Sequence, residues 1–153
     1  MAGTGSLDRF TTSTRELIQH ARLSTVAYKH SHITPEHILL GMLQLNDSGV
    51  NRAFKSVKVD APKIKLLVER HLRPGPYSLP ADELTFSERA KSVIETAREE
   101  CARAEHPQIS PEHLLLGLLR IRNTVASAVL LAVDMDENVI RATIATYAKQ
   151  SGG

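Results

Sequence analysis

One eleven-residue phrase occurs twice in the chain, as Ile33-Thr-Pro-Glu-His-Ile-Leu-Leu-Gly-Met-Leu43 and as Ile109-Ser-Pro-Glu-His-Leu-Leu-Leu-Gly-Leu-Leu119. The offset of 76 residues holds well beyond the phrase. Phe10 matches Phe86, Ile18 matches Ile94, His30 matches His106, Asp60 matches Asp136 and Ile64 matches Ile140. An ungapped offset this long means that one structural unit was duplicated. Two units are too few for an open solenoid, so the sequence predicts a closed pair packed with pseudo-twofold symmetry.

Each unit reads as four helices. Thr11 or Thr12, and Ser87 in the second copy, are hydroxyl residues suited to cap a first helix. Leu17, Ile18, Ala21, Thr25 and Tyr28 then fall at helical spacing; Val93, Ile94, Ala97, Cys101 and Ala104 repeat the stripe. The shared phrase is the second helix, with Thr34 and Ser110 as N-caps and Pro35 and Pro111 at the first helical position, where a missing N–H costs nothing. It is apolar almost all round, which places it at the centre of its unit. Gly41 and Gly117 lie mid-helix, where glycine costs about 1 kcal/mol against alanine. Their duplication points to a close helix crossing. A third, shorter helix is expected over 50–57 and 125–133, and a fourth after Asp60 and Asp136. No segment reads as a strand, so the expected fold is all-α with about eight helices.

The expected organisation is a flexible tail 1–6, one domain over 7–150 and a flexible tail 151–153. Within the domain, repeat 1 covers about 10–73, a semi-rigid linker 74–85 holds three of the seven prolines, and repeat 2 covers 86–150.

Composition narrows the function classes. Hydrophobic content of 42% with 24% charged is globular, and no apolar run approaches the roughly 20 residues that span a bilayer. Neither a membrane nor a signal peptide is expected. A net charge of +2, with acids among the bases, supplies no basic field for nucleic acid. Cys101 is the only cysteine, which excludes an internal disulfide and suits a reducing compartment such as the cytoplasm. His30, His32 and His37 cluster, but no zinc-ligand spacing accompanies them, so no metal or other cofactor is expected. Enzymatic activity is not expected either, because no nucleophile, metal set or glycine-rich phosphate loop is present.

A phenylalanine and hydroxyl opening a helix, a helix ending near His, and then Ile-x-x-Glu-His-[Ile/Leu]-Leu-Leu-Gly-[Met/Leu]-Leu, all twice, resemble the Clp N-terminal double-repeat family. The ClpC type of bacterial and plastid protease chaperones is the nearest match, over about residues 8–150. The resemblance implies a non-enzymatic recognition module that delivers protein substrates or adaptors to a Clp ATPase and its protease ring. The alternative it implies is a stand-alone accessory subunit that docks on a Clp protease, in the plastid stroma if the source is a plant.

The resemblance also implies phosphoarginine binding with one pocket per repeat. Glu36 and Glu112 would hold the guanidinium, Thr11 and Ser87 the phosphate, and Lys91 and its counterpart Arg15 would add charge. Phe10 and Phe86 would contact partners. Pro35 and Pro111 depart from the usual ClpC phrase and remove a backbone N–H beside each implied pocket. The residues also admit plainer roles. Glu36 and Glu112 are first-turn acids that complement a helix dipole, Phe10 and Phe86 could be hydrophobic staples, and His37 and His113 could bond locally within the capping turn.

Overall fold

A computed structural model describes residues 9–152, with side chains to residue 145. The expected tails 1–6 and 151–153 lie outside the described residues, apart from the backbone of residues 151 and 152. Eight α-helices are described: α1 (Thr12–Ala27), α2 (Pro35–Leu45), α3 (Ser48–Ser56), α4 (Ala61–Glu69), α5 (Glu88–Arg103), α6 (Pro111–Arg120), α7 (Val125–Ala132) and α8 (Glu137–Gly152). Their starts follow side-chain chemistry. Thr11, Ser87, Asp47, Asp60 and Thr124 each accept a backbone N–H from the first turn of the helix they open, and Asp136 accepts that of Val139 at 3.0 Å. These bonds satisfy donors that a helix start would otherwise leave free.

In each repeat the first helix packs on the second, α1 on α2 and α5 on α6. The crossings explain the mid-helix glycines. A Cβ on Gly41 would lie 2.6 Å from the Leu17 carbonyl oxygen and 2.8 Å from the Ala21 nitrogen; on Gly117 it would lie 2.5 Å from the Val93 oxygen. All three are backbone atoms that cannot swing away. On an exposed helix, Gly→Ala would stabilise by up to about 1 kcal/mol. Here Gly41→Ala and Gly117→Ala should each destabilise by about 1–3 kcal/mol, because the helices must separate. Urea unfolding of the two variants checks the sign, and a gain in stability in either would rule out the crossing.

The third helices do not stay at home. The α3 helix of repeat 1 packs on α6 and α8 of repeat 2, and α7 of repeat 2 packs on α2 and α4 of repeat 1 as well as on α6. The two units therefore share one core, in which Leu17, Ile38, Leu39, Leu115, Leu116 and Leu118 are fully buried. Cys101 lies in the same core as a small filler, its thiol donating to the His106 carbonyl oxygen at 3.3 Å.

Short extended segments add to the exchange, contrary to the expectation of no strand. The pair β1 (His32–Ile33) and β2 (Thr85–Phe86) runs parallel, with His32 opposite Thr85 and Ile33 opposite Phe86. The pseudosymmetric bridge joins Phe10 to Ile109. Two residues per strand are too few to leave a period-2 pattern in the sequence. The linker is also more structured than expected, since a 3₁₀ turn covers Ala81–Glu83 and Thr85 already belongs to β2.

Candidate functional site

The start of each phrase helix is closed by a histidine. Thr34 N–H donates to His37 Nδ1 at 2.9 Å, and Ser110 N–H donates to His113 Nδ1 at the same distance. Each histidine fills the third helical position, where Glu or Gln usually completes a capping box. The opposite ring nitrogens reach a second histidine: His37 Nε2 lies 2.8 Å from His30 Nδ1, and His113 Nε2 lies 3.1 Å from His106 Nδ1. Burial, and then the neighbouring imidazole, push His37 and His113 down to about 4.

The phrase glutamates reach across to the other repeat. Glu36 Oε2 accepts the Ala126 N–H at 2.9 Å, at the start of α7. Glu112 is 3% exposed, and its carboxyl packs against Gly49 at the start of α3. Burial first, then the charge of Asp47, push the Glu112 carboxyl up to about 7, against opposing bonds from its own backbone and from Ser110. Each glutamate thus sits at the N-terminus of the other repeat's third helix, a place that favours a carboxylate, though at Glu112 burial and Asp47 outweigh that preference.

This exchange rearranges the implied pockets. Thr11 does not face Glu36 of its own repeat. It shares with Glu112 a cleft of about 70 Å³, lined also by Ser13, Asp47 and Ser110. The Thr11 hydroxyl is held by the Thr14 N–H at 3.1 Å, and Arg15 lies exposed beside Thr12. Ser87 and Lys91 instead line a groove of about 710 Å³ with Thr34 of the first repeat. Ser87 caps α5, and Lys91 pairs with Glu88 at 3.4 Å on the surface.

The aromatics also divide. Phe10 is 5% exposed and belongs to the core. It is no staple, because the fourth helical position of α1 is Arg15. The corresponding position after Phe86 is Lys91, so the staple fails there too. Phe86 is half-buried in the groove wall, with the Arg22 guanidinium carbon 5.9 Å from its ring centre.

The groove runs between the repeats. It is lined by His32, Thr34, Thr85, Phe86 and Ser87 and by Lys29, His30, Gly75, Pro76 and Tyr77. Tyr77 is 62% exposed. Lys29 and Lys91 give it positive charge, opposed by Glu88. Apolar rings beside hydroxyls and lysines can hold an extended polypeptide that carries an apolar side chain next to an anionic one. Among the described residues, no group of three or more His, Cys, Asp or Glu side chains could hold a metal ion.

Sequence reasoning missed the linker's part in this groove, since residues 74–77 read only as a spacer. It also missed a charged cluster on repeat 2. Glu100, 4% exposed, accepts from Arg103 at 3.3 Å, Arg120 at 2.5 Å and Arg141 at 3.1 Å. Burial would push its carboxyl up, but the Arg141 bond and the charges of Arg141, Arg103 and Arg120 outweigh that and hold it below the ordinary range. A signal was available: the four positions in repeat 1 are Ser24, Ala27, Gln44 and Lys65, so the cluster is where the copies diverge in concert.

Residues 9–148 match the Clp repeat (R) N-terminal domain family. The chain is 30% identical over 137 residues to a probable ATP-dependent Clp protease ATP-binding subunit of Chlamydia pneumoniae, covering 90% of this chain and 16% of that protein. It is also 30% identical over 133 residues to the chaperone protein ClpB of Oceanobacillus iheyensis, covering 87% and 16%. Its fold is similar to the N-terminal domain of the Arabidopsis thaliana chaperone ClpD, with a TM-score of 0.71 and 21% identity over 93% of this chain and 96% of that one. The N-domain of ClpV from Vibrio cholerae gives a TM-score of 0.75 at 14% identity, over 90% and 84%. The chain therefore spans about a sixth of the length of the curated relatives it matches.

Proposed function

The chain belongs to the Clp repeat N-terminal domain family, and from that membership we propose that it is a non-enzymatic recognition module presenting protein substrates or adaptors to a Clp-type ATPase. The observation that carries the reading is the groove of about 710 Å³ between the repeats, with Phe86 and Tyr77 beside Lys29 and Lys91. An extended segment bearing an anionic side chain, phosphoarginine included, is the ligand class that suits it. Ser87 and Lys91 supply a hydroxyl and a charge for the anion. Glu36 and Glu112 are engaged at helix starts, so the guanidinium of a phosphoarginine gains least from them. The work takes place in a reducing compartment, the cytoplasm or a plastid stroma.

Calorimetric titration tests this with a phosphoarginine peptide, its unmodified arginine counterpart, and free phosphoarginine, arginine and phosphate. The phosphorylated peptide should bind saturably, and Lys91→Glu and Phe86→Ala should each weaken it about tenfold or more, the cost of losing about 1.4 kcal/mol. Glu36→Ala should leave binding within a few-fold of the parent. Folded protein that takes up neither peptide would overturn the groove reading.

A second reading, docking as an accessory subunit on a Clp protease, has its own observation. The adjoining helices α4 and α7 each present a leucine to solvent, Leu66 at 50% and Leu131 at 43% exposure. Loss of ring association in a Leu66→Ser/Leu131→Ser variant that still binds groove peptides would favour it.

A further inference from the structure

In repeat 1 the space beside the end of the first helix is plugged. The Tyr28 ring stacks on His30 with centroids 5.7 Å apart, and its hydroxyl donates to Glu69 Oε2 of α4 at 3.4 Å. The linker backbone closes over them. The Gly75 N–H donates to the Tyr28 carbonyl oxygen at 2.8 Å, and His30 Nε2 donates to the Arg73 carbonyl oxygen at 2.6 Å. A ring, a carboxylate and a carbonyl oxygen thus fill the corner between α1 and α4.

Repeat 2 has none of the three. At the offset of 76 residues, Tyr28 becomes Ala104 and Glu69 becomes Ala145. The positions that match residues 73–75 are 149–151, and these continue α8. The result is a cleft of about 420 Å³ at the end of α5, lined by Ala104, Ala145, His106 and the buried Ile144. His106 keeps the bond to its phrase histidine, with Nδ1 3.1 Å from His113 Nε2, so its own Nε2 N–H is the counterpart of the one that meets Arg73. Among the described residues that N–H has no acceptor.

The charged cluster of repeat 2 borders the same cleft. Arg103 and Arg141 line it, each bonded to Glu100 Oε2, where repeat 1 has Ala27 and Lys65. Arg103, Arg120 and Arg141 against Glu100 and Glu137 leave one positive charge in excess. A guanidinium carries five N–H donors. Arg103 gives Glu100 a single bond, and its side chain is 64% exposed. Glu100 therefore orients the guanidinium and leaves it donors for a further anion.

We infer that this cleft binds a carboxylate carried beside an aromatic ring, borne either by the C-terminal residue of a polypeptide or by a free aromatic acid. The ring takes the place that Tyr28 fills in repeat 1, against Ile144, Ala104 and Ala145. The carboxylate accepts charge-assisted hydrogen bonds from Arg103 and Arg141, and a further bond from His106. The volume lies within the range of small-ligand sites. The cleft shares no lining residue with the groove between the repeats, so it stands whether or not that groove takes peptides.

Amide chemical-shift titration of the whole chain tests this with N-acetyltyrosine, with N-acetyltyrosinamide, and with a short peptide ending in tyrosine as free acid or amide. N-acetyltyrosine should give saturable shifts at Ala104, His106 and Ala145 and none at Tyr77 and Phe86 of the groove. N-acetyltyrosinamide should bind at least tenfold more weakly. Ala104→Tyr/Ala145→Glu rebuilds the plug of repeat 1 at two exposed positions, so it should abolish binding with the fold intact. Arg103→Gln should weaken binding about tenfold, while Arg120 and Arg141 still hold Glu100. A free-acid peptide that binds as well as N-acetyltyrosine assigns the site to chain ends; uptake of N-acetyltyrosine without the peptide assigns it to small acids. Absence of saturable shifts at the cleft, an amide that binds as well as the acid, or undiminished binding by either variant would each overturn the site.

Discussion

Expressed alone, residues 1–76 should show no cooperative unfolding transition, and neither should residues 77–153; mixed, the two should recover the helical signal of the intact chain. A tandem repeat with independent cores would behave oppositely, each half folding by itself. The difference lies in the exchanged helices. Without repeat 2, α3 loses α6 and α8, the helices on which it packs. Without repeat 1, α7 loses α2 and α4. The Glu36 bond to Ala126, the β1–β2 pair and the Phe10–Ile109 bridge all cross the same boundary. A half of about 76 residues has little core to spare, since small domains are marginal even when intact. Circular dichroism with urea on each half and on the mixture decides it, and a cooperative transition in either half alone would refute the shared core.

Acidification should expose the two buried histidines. His37 and His113 sit at about 4 in the folded protein, below the 6.5 of an ordinary imidazole, so the unfolded chain takes up protons first as pH falls. Their contribution is complete above about pH 6.5 and is lost towards pH 4, roughly 3 kcal/mol for each ring. Glu112 works the other way. Its folded value of about 7 lies above the ordinary 4.5, so acidification through that window returns about 3 kcal/mol. The net loss near pH 4 is on the order of 3 kcal/mol from these three groups. A His37→Gln/His113→Gln variant keeps the capping box, because glutamine is a usual residue at that position. It removes the histidine contribution, so its urea midpoint should hold or rise from about pH 7 to 4.5 while that of the parent falls. Parallel curves for the two proteins would refute the burial of the two histidines as neutral rings.

Much of the local structure was legible in the residues. Hydroxyl and acid caps at Thr11, Ser87, Asp60 and Asp136 act where expected, since a cap is a bond between residues three apart. Gly41 and Gly117 were legible for a different reason: a residue unfavourable in a helix, kept in both copies, has to be explained by something outside that helix. The candidate site was less legible. Phe10 and Phe86 hold equivalent positions, yet one is core and the other groove wall. That outcome depends on what each repeat packs beside it, and the linker lies against one copy only.

By itself, the sequence determined the duplication, the all-α class, the helix starts and the two close crossings, because each follows from neighbours along the chain or from one repeated irregularity. Only the tertiary structure decided which third helix joins which repeat, that Glu36 and Glu112 serve the opposite unit, and that the linker closes one wall of the groove. An apolar stripe records that a face is buried but not which face covers it, and the carboxylates that cross the pseudo-twofold look identical in sequence to ones that stay within a repeat.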